Sequence, residues 1–198
     1  TPDGGETLTV NPASATAIYD AADNAAAASQ SSNTATLNDQ AAPTISSSSL
    51  ASDNSYVELT FSESVFGHSS GAGDLGTSYF TVTFAQNDGN ATNAYGAKVT
   101  DTNGQEDVEV GSKARLYLTI TGNPSGVETV TINANGSKTI YDASGNAMSS
   151  SQTTGAITLK DITAPTVSSV TSTTADGSYK IGDVIAVTVI FSKAVTVT

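Results

Sequence analysis

YVELTF, residues 56–61, places Val57, Leu59 and Phe61 on one side of an extended chain and Glu58 and Thr60 on the other. Successive side chains of a β-strand face opposite ways, so a period of two with one dry face reads as a half-buried strand. The pattern returns further along. YFTVTF (79–84) offers Phe80, Val82 and Phe84; ARLYLTI (114–120) offers Leu116, Leu118 and Ile120; VETVTI (127–132) offers Val130 and Ile132. Turn-forming pairs stand between these runs: Asp88-Gly89, Asn103-Gly104, Asn123-Pro124-Ser125-Gly126, Asn135-Gly136 and Gly145-Asn146. About seven short strands in roughly 120 residues predict an all-β chain folded as a two-sheet antiparallel sandwich.

A repeat sets the period. Residues 4–47 laid over residues 126–169, an offset of 122, give 21 identities in 44 ungapped pairs. IYDAADN (18–24) thereby meets IYDASGN (140–146). The match resumes as ELTFSESV (58–65) against TVIFSKAV (188–195), now offset by 130 because the later copy has the longer lead-in TADGSYKIGDV. The reading is a slice through a tandem array with a unit of about 120 residues. Residues 1–39 are the late part of one copy, 40–161 a complete copy, and 162–198 the early part of a third. The boundaries fall at LNDQAAPT and LKDITAPT, where proline cannot continue a central ladder and biases its predecessor to extended geometry. The Ala-rich run 21–28 favours helix by propensity. Its counterpart ASGNAMSS does not, so the segment is read as a loop.

Composition narrows the function. Charged residues are 13%, about half the share in an ordinary globular domain. Seven basic against nineteen acidic residues give a formal charge of −12. That field repels phosphate backbones and anionic lipid, which argues against nucleic acid and membrane surfaces as partners. The longest apolar run, IAVTVIF, falls far short of the ~18 residues a membrane span needs. With no cysteine there is no disulfide, thiol catalysis or thiolate metal site. An acidic, Ser/Thr-rich, lysine-poor surface suits a secreted protein.

SGVETVTINA (125–134), IYDASGNA (140–147), TLKDITAPT (158–166) and FSESV (61–65) resemble the bacterial immunoglobulin-like repeats of very long cell-surface and adhesin proteins, including cyanobacterial cell-surface motility proteins. The resemblance covers nearly the whole chain and is weakest over 67–110. It implies an immunoglobulin-like antiparallel β-sandwich, an extracellular or cell-surface setting, and a non-catalytic role in cell adhesion as a spacer whose partners are neighbouring repeats of the same chain. It also implies calcium at junctions between repeats, since some related repeats bind it there.

Candidate cation ligands follow from carboxylate placement. Calcium takes six to eight hard oxygen donors, and a junction collects them from a linker carboxylate, carbonyls and neighbouring loops. Asp39 and Asp161 stand in the linkers, Glu63 at a strand end, and Asp20 and Asp142 in the two Tyr-Asp-Ala-x-x-Asn loops. The bland alternative is an Asx turn at each aspartate, with Tyr19 or Tyr141 packing on the sandwich edge and bonding backbone through its hydroxyl. Lys193 stands where Glu63 has its counterpart, so a site built on Glu63 is absent from that repeat. DTNGQED (101–107) fails as an EF-hand, with glycine fourth rather than sixth and Ser112 at position twelve. His68, the single histidine, lies in a glycine-rich loop with no second soft ligand and no nucleophile elbow, which argues against an enzyme. Asn90 and Asn135 head N-glycosylation tripeptides. Two other functional classes stay open. Early and late strands at the chain's ends could complement one another between copies and build a filament. Alternatively the unit is an accessory carbohydrate-binding module of a secreted enzyme, which calls for an exposed aromatic patch; no Trp and seven scattered Tyr supply none in the sequence.

Overall fold

The computed structural model describes residues 1–106 and 108–198. Eleven strands account for the regular structure: β1 Thr7–Thr9, β2 Thr34–Thr36, β3 Ile45–Leu50, β4 Tyr56–Phe61, β5 Phe80–Ala85, β6 Asn93–Thr100, β7 Lys113–Thr121, β8 Thr129–Ala134, β9 Thr153–Thr158, β10 Val167–Ser172 and β11 Val187–Phe191. There is no α-helix among the described residues, and the Ala-rich run 21–28 is turn and coil. One 3-10 turn among the described residues, Thr77–Tyr79, leads into β5.

Strands β3 to β9 make two antiparallel sheets, ordered β3-β4-β7-β6 and β5-β8-β9. Their inner faces are the apolar faces of the alternating runs. Val57, Leu59, Phe61 and Leu116 from one sheet meet Phe80 and Ile132 from the other in a common buried cluster, giving a sandwich-like core. In β4 the burial alternates residue by residue, as its sequence demands. Three strands carry no such signal. β3 is ISSSSL, β9 is TTGAIT, and β6 is broken by a register shift between Gly96 and Lys98. A Cβ at Gly96 would lie 3.1 Å from Leu116 Cδ1, a contact tight enough that the leucine would have to shift.

The outer face of the four-stranded sheet gathers tyrosines that look scattered in sequence. Tyr56 and Tyr117 are cross-strand partners with ring centroids 5.3 Å apart. Arg115 caps the Tyr56 ring at 4.7 Å and Lys98 the Tyr117 ring at 4.8 Å. Glu58 links Lys113 and Arg115 at 3.0 and 3.1 Å. The rings are therefore engaged by the protein's own cations.

Outside this unit stand two hairpins, β1-β2 and β10-β11. Each presents an open apolar face. Leu8 and Val10 are 56% and 64% exposed, whereas Val130 and Ile132, their counterparts at offset 122, are fully buried. Val189 and Phe191 are likewise open where Leu59 and Phe61 are buried. The same side chains pack in one place and lack a facing sheet in the other.

Candidate cation site at the Asp-x-x-Ala-Pro linkers

Both linkers, 37–44 and 159–166, are extended coil, and a common set of hydrogen bonds recurs in them, to which the second adds bonds between Lys160 and Asn54 and from Thr163 Oγ1 to the Asn123 and Pro124 carbonyls. In the first, Thr44 N–H donates to Ser62 Oγ at 3.0 Å and Ser62 N–H to Thr44 O at 2.9 Å. In the second, Thr166 N–H donates to Ser192 Oγ at 3.0 Å and Ser192 N–H to Thr166 O at 2.8 Å. The linker backbone is tied back in equivalent ways, Gln40 N–H to Pro2 O and Ile162 N–H to Pro124 O. Each linker aspartate closes an Asx turn, accepting at 2.9 Å from Ala41 N–H in one case and Thr163 N–H in the other. Gly4 and Gly126 adopt φ +82° and +91° because a loop must pass close to these aspartates.

Three of the five carboxylates named from sequence converge. Asp39, Glu63 and Asp142 each offer an oxygen within 4.8 Å of the others. Asp142 is fully buried, and its loop explains how. Its Oδ1 accepts from Ser144 and Asn146 N–H at 2.8 Å, and its Oδ2 from Asn146 Nδ2 at 2.7 Å. Asn146 Nδ2 also reaches Asp39 O at 3.3 Å, tying the loop to the linker. A carboxylate offers about four lone-pair sites. Asp142 thus keeps roughly one for a cation, and Glu63 and Asp39 would carry most of the coordination. Burial and then the charges of Asp142, Asp39 and Asp3 push the Glu63 carboxyl above its ordinary range. A carboxylate so placed weakens the fold as pH rises past its unfolded-state pKa, because the folded state then holds the extra proton. Hard oxygen donors crowded together are of the kind a hard divalent cation takes rather than a soft metal.

The other two stand apart. Asp161 is paired with Lys193, Nζ to Oδ2 at 2.6 Å, and Lys193 also bonds Thr163 O. That ammonium, with the Thr163 N–H, lowers the Asp161 carboxyl. Asp20 sits in an exposed loop of its own. There it accepts from Ala22 N–H at 2.8 Å and from Asn24 N–H and Nδ2 at 2.9 Å, the Asx pattern of Asp142 at each corresponding atom. Asp23 holds φ +61° where the later copy has Gly145 at +87°. Of the two tyrosines in these loops, Tyr19 and Tyr141 bridge Ala25 and Ala147 through backbone. A nearby hydroxyl-to-backbone bond is made by Tyr79, to Gly67 O at 3.0 Å. Replacing the buried Asp142 with alanine takes the acceptor from three part-buried hydrogen bonds and is expected to cost about 2–3 kcal/mol in urea unfolding, whereas Asp20→Ala, in an exposed loop, is expected to cost much less.

Glu128, fully buried like Asp142, was not singled out in the sequence. Its oxygens accept from Ala91 N–H at 2.9 Å, Ser125 N–H at 2.9 Å and Val127 N–H at 3.3 Å. Burial pushes the carboxyl up, but these backbone donors together outweigh it and hold it at about 2. The signal was present as an identity of the repeat, Glu6 with Glu128, and Glu6 keeps the corresponding bond from Asp3 N–H at 2.9 Å. Asp3 was likewise missed as a neighbour of the cluster, and Lys193, noted in the sequence only as the counterpart of Glu63, as the partner of Asp161. In the 101–107 stretch Asp101 accepts from Asn103 and Gln105 N–H at 2.8 Å, a turn rather than a cation loop, and residue 107 lies outside the described residues. His68 is exposed, its Nδ1 2.9 Å from Ser70 Oγ. Compared with models of protein families, with curated proteins and with solved structures, the chain matches none.

Proposed function

We propose that this chain is a non-catalytic structural segment of an extracellular array, in which immunoglobulin-like sandwiches joined through Asp-x-x-Ala-Pro linkers hold an adhesive or filament-forming part away from a cell surface. The observation that carries it is the set of bonds the two linkers share, Thr44–Ser62 with Thr166–Ser192 and Gln40–Pro2 with Ile162–Pro124. A junction geometry that recurs is what a spacer needs, since stiffness in an array is set by nearest-neighbour contacts. The sheet orders support the immunoglobulin-like part of the reading. Lettering β3 to β9 as A to G turns β3-β4-β7-β6 and β5-β8-β9 into A-B-E-D and C-F-G, the constant-type arrangement. The unit 40–161 is then one complete repeat, with 1–39 and 162–198 belonging to its neighbours.

Calcium at the first linker is part of this proposal. Asp39, Glu63 and Asp142 would hold it, neutralising charge that otherwise strains the junction. Thermal unfolding in EDTA and in millimolar calcium, with magnesium as control, tests it. A calcium-specific rise of several degrees is expected from native-state binding, and identical curves would remove the cation from the account. A second reading, polymerisation by strand complementation between copies, draws on the open faces of β1-β2 and β10-β11. It requires particle size to grow with concentration in light scattering, and a constant monomer mass would sink it.

A further inference from the structure

We propose that the position shared by Glu63 and Lys193 selects how each linker groove is closed: lysine there is a tethered cation that locks the junction unaided, and glutamate leaves a junction that closes on a divalent cation from solution. The half concerning Glu63 rests on the cation reading above; the half concerning Lys193 rests on the observed ion pair.

The two grooves are built at matching positions of the repeat, with Asp3 of the first standing where the second has Ser125, and the second also takes in Asn90 and Asp161. One, of about 330 Å³, is lined by Ala41, Ala42, Thr44, Ser62 and Glu63. The other, of about 430 Å³, is lined by Thr163, Ala164, Thr166, Ser192 and Lys193. In the second groove a cation is already in place, covalently attached. The Lys193 ammonium lies 2.6 Å from Asp161 Oδ2 and also takes the Thr163 carbonyl. A carboxylate oxygen and a backbone carbonyl are donors a hard metal ion also uses. The counterparts of those two groups in the first groove are the Asp39 carboxylate and the Ala41 carbonyl. No ammonium reaches them, because the side chain at the lysine position is Glu63, and Asp142 joins it within 4.8 Å of Asp39. The titratable groups facing Glu63 are Asp142, Asp39 and Asp3, all acidic. Those facing Asp161 are Lys193 and, more distantly, Glu128. The second groove thus balances its linker charge internally, and the first gathers four carboxylates. Along an array, such a substitution would make some joints permanent and others responsive to cation concentration.

The test is amide hydrogen exchange in the whole chain, read at Thr44 and Ser62 for the first junction and at Thr166 and Ser192 for the second, in EDTA and in calcium. Wild type is expected to exchange at least tenfold faster at Thr44 and Ser62 in EDTA than in calcium, with Thr166 and Ser192 indifferent. Glu63→Lys is expected to slow the first pair in EDTA to the calcium level and to abolish the calcium response. Glu63→Gln, which removes charge without adding an ammonium, should lose the calcium response yet protect less than lysine. Lys193→Glu should speed exchange at Thr166 and Ser192 at least tenfold in EDTA. Glu63→Lys that still responds to calcium as wild type does, or that leaves Thr44 and Ser62 unprotected in EDTA, overturns the selector. An indifferent wild type, with Glu63→Lys protecting and Lys193→Glu deprotecting, would remove the solution cation and keep the lysine lock.

Discussion

Glu128→Ala is expected to destabilise the two-sheet unit by about 3 kcal/mol or more, a large share of the stability of a domain this size. Its carboxylate is buried and satisfied by the backbone N–H groups of Ala91, Ser125 and Val127. Removing it takes the shared acceptor from the 86–91 turn and the 122–127 loop, and the Ala91 donor is left buried. Gly89 presses directly on the same side chain, and a Cβ there would fall 2.2 Å from Glu128 Cδ, so Gly89→Ala should disturb the same clamp. Acid supplies an independent readout. The carboxyl falls from 4.5 to about 2 on folding, so its contribution is complete above about pH 4.5 and is lost as pH falls through about 2. That shift corresponds to roughly 3 kcal/mol. Wild type and Glu128→Gln should therefore differ near pH 7 and converge toward pH 2 in denaturant unfolding. A difference below about 1 kcal/mol at pH 7 would mean that the clamp is dispensable.

Leu59→Ala should cost about 2–5 kcal/mol, since it opens a cavity at the centre of a close-packed core. Leu59 is fully buried on β4, between the sheets and beside Leu116. The informative comparison is Val189→Ala. Val189 is aligned with Leu59 by the repeat but is 43% exposed on β11, with no sheet across from it. There the loss should be under about 1 kcal/mol. Equivalent costs at the two positions would mean that β10-β11 is packed in solution against a partner, as strand complementation requires.

Where a strand alternates apolar and polar residues, its inward face could be read directly. Val57, Leu59 and Phe61 on β4 and Val130 and Ile132 on β8 all lie in the core as the period of two implies. β3 and β9 escaped because serine and threonine occupy both of their faces, leaving no period to detect. β6 escaped because its bulge at Gly96 shifts the alternation midway. The Asx loops at Asp20 and Asp142 were legible because both bonding partners lie within four residues. The acid cluster was only half legible. Asp39 and Glu63 could be placed near one junction by their neighbourhood in the chain, but Asp142 arrives from about a hundred residues away, across a fold that brings its loop to the linker. Glu128 was hidden for a different reason. Glu128 has the parity of Val130 and Ile132, so the period of two sets it on the inner face, but it stands before the strand begins at Thr129, and the groups that satisfy it, in the 86–91 turn and the 122–127 loop, leave no local pattern.

Charge sets the mechanical question. A chain of net charge −12 that concentrates Asp3, Asp39, Glu63 and Asp142 at one linker must either hold that joint against repulsion or let it open. Four bonds of the first linker, Leu37 N–H to Glu6 O, Gln40 N–H to Pro2 O and the two between Thr44 and Ser62, are made by backbone groups or a small hydroxyl, and these do not depend on pH near neutrality. They fix the path of the chain, while the carboxylates tune how firmly it is held.

The stiffness of the first linker is the central claim, and a spin-label distance tests it most directly. The chain has no cysteine, so Ser31→Cys on the β1-β2 hairpin and Thr81→Cys on the outer face of β5 would be its only thiols. Double electron–electron resonance between labels at these exposed positions should give one narrow distance distribution in calcium, broadening in EDTA. A distribution equally broad in both conditions would show a flexible tether, and the rigid spacer would be contradicted.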